Sequence, residues 1–121
     1  MAAKATGTAR KRATQDAAIE AMVFERQAQI CKAFASPVRL QILDMVSRGE
    51  CGAADLQKAL KISKANLSQH MSILKSAGVI STRRDGKQMY YMLSIPEVKQ
   101  ACLLIRKVLY AQVEGARKMF P

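Results

Sequence analysis

One segment, Ile62–Leu74, restricts the fold of this chain more than any other, and it has the sequence ISKANLSQHMSIL. Ser63 is placed to cap a helix, because its hydroxyl can accept a free backbone N–H of the first turn. Leu67, Met71 and Leu74 recur at three- and four-residue spacing and predict one buried stripe. The other faces carry the polar residues Lys64, Asn66, Ser68, Gln69 and His70. This pattern fits a DNA-recognition helix and an ordinary amphipathic surface helix equally well.

The flanking segments favour the recognition helix. A short amphipathic helix, Ala53–Leu60, precedes it, and the link Lys61–Ser63 has room only for a tight turn, which predicts a helix-turn-helix. After it, two β-prone runs, Val79–Arg84 and Gln88–Leu93, flank the hairpin signal Asp85-Gly86. We expect a β-hairpin wing that reaches DNA phosphates or the minor groove. The basic residues near its tip are Arg83, Arg84 and Lys87.

The first and last helices carry more apolar surface than a small winged domain can bury. The first helix, Ala17–Ala35, has two apolar stripes, and the last begins at Pro96 and extends to about Lys118. Between them, Ser36 and Pro37 are placed as the cap and first residue of a second helix through Ser47. Surplus apolar surface of this extent marks an oligomer interface. The predicted interface residues are Phe24, Cys31, Val98, Cys102, Ile105, Leu109 and Val113.

Composition indicates the class of partner. The 121 residues are enough for one domain, and a net charge of +11 implies a polyanion, with RNA, DNA and anionic membranes all open at this point. We expect residues 1–15 to be a disordered basic arm, and residues 16–118 to form the DNA-binding and dimerisation domain. No apolar run is long enough for a membrane span or resembles an export signal. Because the chain has three widely spaced cysteines, we expect a reducing, cytoplasmic location without structural disulfides.

Three strings resemble motifs of the ArsR/SmtB family of bacterial winged-helix repressors. Phe34–Leu43 is similar to the family string LADPTRLRIL, and Ser63–Leu74 is similar to its helix S-x-x-x-x-S-x-H-L-x-x-L, with Met71 in place of the usual leucine. The segment Gly78–Tyr91 resembles the family wing, GLV…R-x-G-[KR]…Y-x-L. The resemblance covers the chain from about Gln29 onwards.

The resemblance implies a mainly α winged helix-turn-helix that forms a homodimer through its first and last helices. It also implies binding to double-stranded DNA at an inverted-repeat operator, with half-sites one or two turns apart at about 10 bp per turn, and release by an inducer. The last helix has no histidine, so the family's zinc or nickel site of Asp/His and His/Glu pairs is not expected. The family string E-L-C-V-C-D-L is matched by Glu50–Leu56, which has a single cysteine, Cys51, shifted by one position.

Three interpretations of Cys31, Cys51 and Cys102 remain open. Cys31 and Cys102 lie on helices that we expect to pack together, where a thiol pair can sense persulfides or oxidants. The same sulfurs, with Cys51, can bind As(III) or a similar soft metalloid. Alternatively, all three are inert core residues, since cysteine is a common small apolar residue. No resident cofactor is expected in any of these cases.

An enzymatic role is not expected. His70 is the only histidine, and no nucleophile or carboxylate is in register with it, so a phosphate contact or a hydrogen bond between helices is the better interpretation. The prediction is a cytoplasmic, homodimeric repressor released by a thiol-directed signal. The alternatives are a regulator with inert cysteines and a small basic RNA-binding protein.

Overall fold

The helix-turn-helix and the hairpin occupy the centre of a mainly helical structure. The computed structural model describes residues 7–120. The helices are α1 (Gly7–Phe34), α2 (Pro37–Ser47), α3 (Ala53–Leu60), α4 (Lys64–Ser76) and α5 (Glu97–Met119), and the strands are β1 (Cys51–Gly52), β2 (Ile80–Asp85) and β3 (Gln88–Leu93). Helix α2 lies in the middle and contacts α1, α3, α4, α5 and β3. The predicted fold class, mainly α with a small β-hairpin wing, is confirmed.

Helix α1 begins at Gly7 rather than at Ala17. This corrects the prediction of a disordered arm over residues 7–15, whereas residues 1–6 of that arm lie outside the described residues. The added segment is rich in Ala, Arg and Lys, which favour helix, and the Thr14 hydroxyl donates to the Arg10 carbonyl at 2.9 Å. From Gly7 to Gln29 every residue of α1 is exposed. Only the last turns of this helix therefore pack on the rest of the chain.

Helix α2 begins as its capping residues predict, and Lys61 makes the turn that ends α3. The Ser36 side chain accepts from the Arg39 N–H at the start of α2, and Pro37 is the first helical residue. Between α3 and α4, Lys61 adopts a left-handed conformation with a φ of 56°, and its N–H donates to the Gln57 carbonyl. This reversal lets two short helices follow one another with only a tight turn between them.

The wing belongs to a three-stranded antiparallel sheet in the order β1-β3-β2. Gly86 has a positive φ of 61° in the two-residue loop between β2 and β3, a conformation that hairpin loops of this length require. Strand β1, which pairs Cys51 with Tyr91, was not predicted. A two-residue strand has too short a pattern to be recognised in sequence.

The core lies beneath α2, between the helix-turn-helix and the sheet. Leu67, Met71 and Leu74 are buried as the predicted stripe requires. Val98, predicted to lie at the dimer interface, is instead 5% exposed and belongs to the core of its own chain, since the first turns of α5 pack against α2. The full set of buried hydrophobic residues is Ala33, Phe34, Ile42, Leu43, Val46, Leu56, Leu67, Met71, Leu74, Val79, Ile80, Tyr91 and Val98.

Candidate nucleic-acid interface

Helix α4 presents its polar residues on the face opposite the core. The Ser63 hydroxyl accepts the Asn66 N–H at 3.0 Å and so caps the helix as expected. The side chains of Lys64, Asn66, Ser68 and Gln69 are exposed. The amides of Asn66 and Gln69 can each donate to and accept from one base edge, which suits adenine in the major groove.

His70 differs from these residues because it is half-buried and hydrogen-bonded within the protein. Its Nδ1 atom lies 3.2 Å from an Nη atom of Arg39, on α2. The same guanidinium donates to the carbonyls of Ala33, at 2.7 Å, and Lys32, at 3.2 Å, at the end of α1. Nothing local in the sequence shows that α2 passes beside both α1 and α4, so Arg39 was not a predicted site residue.

The two arginines of β2 project from opposite faces of the wing. Neighbouring residues in a strand alternate between faces, so Arg84 shares a face with the buried Ile80, and Arg83 lies on the other face. The face with Ile80 and Tyr91 packs against α4. Arg84 therefore extends from the side of the hairpin that adjoins the candidate recognition helix, and Lys87 is exposed at the hairpin tip.

Arg83 is engaged within the protein. Its guanidinium forms a two-point ion pair with Glu50, just before β1, and lies 4.6 Å from the centre of the Tyr90 ring. The hydrogen bond from Arg83 holds the pKa of Glu50 below its ordinary value and in turn raises the pKa of Arg83. Arg83 was predicted to contact phosphates, and that stays a prediction; in the structure its guanidinium is paired with Glu50 and Tyr90. Glu50, its partner, is separated from it by 33 residues and was not predicted as a site residue.

A cleft of about 300 Å³ separates α4 from the hairpin. It is lined by Ser68, Met71, Ser72, Lys75, Ser76 and Tyr91. Three serine hydroxyls and one ammonium along a single helix provide the neutral and charged donors that phosphate oxygens accept. Ser72, Lys75 and Ser76 were not predicted as site residues, although they follow Ser68 by four, seven and eight residues and so share its side of the helix.

A second surface, away from α4, is apolar. On α1, Phe24 is 80% exposed, and on α5, Ile105, Leu109 and Val113 are each about half exposed. A cavity of about 350 Å³ lies where α5 passes α2, with Leu40, Leu43 and Leu109 among its lining residues. The exposed side chains form one apolar face (the outer surfaces of α1 and α5), and an exposed apolar patch on a soluble chain marks a site of association.

Three comparisons with known proteins agree with this architecture. A family model described as a bacterial regulatory protein of the arsR family matches residues 36–82. The transcriptional activator HlyU of Vibrio cholerae is 37% identical over 83 residues, which cover 69% of this chain and 76% of that protein. The transcriptional repressor SdpR of Bacillus subtilis is 42% identical over 65 residues, which cover 54% of this chain and 72% of that protein. The chain belongs to the ArsR family.

Solved structures show the same relationship. The homodimeric winged helix-turn-helix DNA-binding domain of Mb0332 from Mycobacterium bovis, a possible ArsR-family regulator, has a TM-score of 0.73 and 29% identity. The match covers 79% of this chain and 89% of that one. Membership in the ArsR family makes the protein a transcriptional regulator and not an enzyme, as the sequence predicted.

The three cysteines of this ArsR-family chain occupy different surroundings. Cys31 is exposed on α1, whereas Cys51 and Cys102 are partly buried. Burial raises the pKa of the Cys51 thiol, with a further contribution from Asp55. Burial also raises the pKa of Cys102, opposed by Arg106 and reinforced by Asp44. Because the thiolate is the reactive form, both partly buried cysteines are less reactive near neutral pH than a free thiol.

Two further properties concern metals and membranes. Within residues 7–120, no group of three or more His, Cys, Asp or Glu side chains is arranged to hold a metal ion. None of the helices in the same part of the chain combines the length and the apolar character required to cross a membrane.

Proposed function

We propose that this protein is a cytoplasmic, homodimeric repressor that binds an inverted-repeat operator in double-stranded DNA. The observation that carries the proposal is the exposed polar face of α4 beside Arg84 and Lys87 of the wing. One recognition helix with a basic hairpin beside it can contact one DNA half-site. A homodimer has two such surfaces and can contact the two half-sites of an inverted repeat.

Three groups of residues have distinct parts in this proposal. Asn66 and Gln69 read base edges, whereas Ser63, Lys64, Ser68, Arg84 and Lys87 contact phosphates, and the apolar face of α1 and α5 joins the two copies. The relatives include an activator and a repressor. We favour repression because it requires only that the operator be occupied, and the surface just described is sufficient for that.

Fluorescence anisotropy tests the proposal directly. The full chain is titrated onto duplex DNA from upstream of its own gene, onto a random duplex of equal length, and onto a folded RNA. We expect the tightest binding to the upstream duplex. In transcription reactions on the same duplex, we expect less transcript when the protein is added. Preference for the folded RNA would contradict the proposal and support the RNA-binding alternative, and a gain in transcription would reverse the sign of regulation.

A single amide substitution makes this test sharper. Gln69→Ala is expected to cost about 1–3 kcal/mol of binding free energy on the upstream duplex and much less on the random duplex. The matched control is Gln41→Ala, which removes an exposed amide from α2. Equal losses on both duplexes would show that Gln69 does not read bases.

We also propose that release from DNA is thiol-directed, through Cys31 and Cys102, with a persulfide, an oxidant or an As(III)-like metalloid as the signal. What supports this is their position on α1 and α5, the two helices with surplus apolar surface. The second candidate is a regulator with inert cysteines, which the raised pKa of Cys102 favours for that residue, whereas Cys31 is exposed and fills no space in its own chain.

The cysteine variants separate these two candidates. We expect that persulfide donor or As(III) releases the reduced wild-type protein from DNA, and that Cys31→Ser combined with Cys102→Ser prevents the release. Cys51→Ser serves as the single-thiol control for the persulfide donor, to which it is expected to respond as wild type does; a weaker As(III) response of Cys51→Ser would assign Cys51 to a metalloid site. An unchanged response of the double variant would contradict thiol sensing at Cys31 and Cys102.

A further inference from the structure

Arg39 joins three helices through one side chain. It belongs to α2, its Nε atom donates to the Ala33 carbonyl at 2.7 Å, and one Nη atom donates to the Lys32 carbonyl at 3.2 Å. Both acceptors lie at the carboxyl end of α1, where carbonyls carry partial negative charge, and the Lys32 carbonyl also accepts the Ala35 N–H at 3.1 Å. These two bonds hold the guanidinium plane in place, so the direction of its remaining donors is set.

The other Nη atom of Arg39 points to His70 on α4. Its distance to Nδ1 of the imidazole is 3.2 Å. An arginine side chain has five donors and no acceptor, and it does not lose its proton in a protein. Nδ1 must therefore be the acceptor, and the neutral ring then carries its hydrogen on Nε2.

The Nε2 atom of His70 remains available for a partner from outside the chain. Among the described residues, Nδ1 is the only ring nitrogen of His70 with a hydrogen-bond partner. The same residues include no buried side-chain nitrogen or oxygen without a partner, so Nε2 reaches the surface. Helix α4 thus presents the Nε2–H of His70 as a donor, and the bond from Arg39 of α2 to Nδ1 fixes its direction.

We infer that Arg39 is a positioning residue for DNA binding, which keeps His70 in the Nε2–H form so that the ring donates to an acceptor on DNA. The acceptor is a base-edge atom such as guanine N7 or O6, or a phosphate oxygen. This inference rests on the proposed function, because it assigns a donor and its support within the same surface. In this inference Arg39 does not touch DNA; its guanidinium acts only by holding the His70 ring.

Nuclear magnetic resonance tests the first half of the inference without DNA. The chain contains one histidine, so the long-range ¹⁵N–¹H spectrum of the imidazole shows a single ring. We expect the neutral ring of the wild-type protein to be the Nε2–H tautomer. An Nδ1–H ring, or an even mixture of the two forms, would overturn the inference.

The matched variants are Arg39→Lys and Arg48→Lys, which both keep the net charge. A single ammonium cannot bond the two α1 carbonyls and the ring in the same geometry, so Arg39→Lys is expected to give a mixture of tautomers. Arg48 lies at the end of the same helix and pairs with Asp44, so its variant is expected to keep the wild-type spectrum. If Arg39→Lys does not fold, the wild-type spectrum alone decides the point.

Two substitutions of His70 test the second half of the inference. His70→Asn keeps an acceptor near the place of Nδ1 but has no donor at Nε2, whereas His70→Gln extends a donor toward Nε2. We expect His70→Asn to weaken binding to the upstream duplex about 2- to 150-fold, the upper end applying to a charged acceptor, and His70→Gln to retain more of the affinity. Wild-type affinity of His70→Asn on both the upstream and a random duplex would overturn the DNA contact.

The duplex comparison also identifies the acceptor. A loss confined to the upstream duplex assigns the donor to a base edge, and an equal loss on a random duplex assigns it to a phosphate. Failure of the wild-type protein to bind any duplex would overturn the proposed function, and with it the DNA contact. In that case the tautomer spectrum would still report separately on the bond between Arg39 and His70.

Discussion

Arg83 and Arg84 are neighbours in sequence, and their surroundings differ because successive residues of a strand face opposite sides. Arg83 is held by Glu50 and Tyr90 on one face, whereas Arg84 lies on the face that adjoins α4. A basic run in a sequence therefore does not show which of its members is free to meet DNA.

We expect Arg84→Ala to weaken binding to all duplexes and to reduce the slope of log affinity against log salt by about one. The physical reason is the loss of one cation that displaces a counterion from a phosphate. Arg83→Ala is the matched control, and it is expected to change this slope less because its guanidinium is paired with a carboxylate. Titrations by anisotropy at several salt concentrations measure both, and equal slopes for the two variants would contradict the assignment.

The ion pair between Glu50 and Arg83 gives the wing a dependence on pH. The hydrogen bond from Arg83 lowers the pKa of Glu50 in the folded protein. The contribution to stability is therefore fully present above the unfolded-state pKa of the carboxyl and is lost as the pH falls through the lower folded-state pKa.

Carbon-detected NMR of the Glu50 carboxyl measures this effect. We expect the Glu50 pKa to rise toward its ordinary value in Arg83→Ala. The matched control is Arg84→Ala, which leaves the partner of Glu50 in place and is expected to keep the wild-type value. A Glu50 pKa that is the same in wild type and in Arg83→Ala would show that the pair does not persist in solution.

At the scale of elements, capping residues account for most of what the sequence could predict. Ser36 and Pro37 located the start of α2, and Ser63 located the start of α4, because each cap is a contact between residues three positions apart. Strand β1 and the bond between Arg39 and His70 join distant parts of the chain, so no local pattern indicates them. The start of α1 was placed too late because a basic Ala-rich segment favours helix as much as it favours disorder.

We expect Ser63→Ala to lower the free energy of unfolding by about 1 kcal/mol, because the Asn66 N–H loses the acceptor that lies 3.0 Å away. Urea unfolding followed by circular dichroism measures the change. Ser72→Ala is the matched control, since Ser72 is an exposed residue within the same helix. Its replacement is expected to be neutral or slightly stabilising, and a cost equal to that of Ser63→Ala would contradict the cap.

At the scale of the whole molecule, the apolar face of α1 and α5 is the feature that one chain leaves unexplained. The sequence predicted this surplus from two stripes on the first helix and one on the last. It could not assign every residue, because Val98 belongs to the same stripe as Leu109 and yet lies in the core. The turns of α5 that pack in the core of the same chain are the ones close to its crossing with α2, and the sequence does not give the position of that crossing.

We expect Ile105→Glu combined with Leu109→Glu to convert a dimer to a monomer and to reduce operator binding sharply. Two carboxylates in an apolar interface cannot be solvated or paired there. Sedimentation velocity measures the molecular mass in solution. Ile95→Glu is the matched control because Ile95 is equally exposed but lies between β3 and α5. A monomeric wild-type protein would contradict the proposed assembly.

Helix α1 has 28 residues, and most of them lie outside the core of their own chain. Most of the stability of a helix in a protein comes from packing of one face, so in the proposed dimer much of the order of α1 comes from the second copy. At low expression, the number of operator-ready dimers then follows the square of the number of chains in the cell. Promoter occupancy then becomes sensitive to gene dosage. The rate at which the protein is synthesised determines whether enough dimers form to occupy the operator.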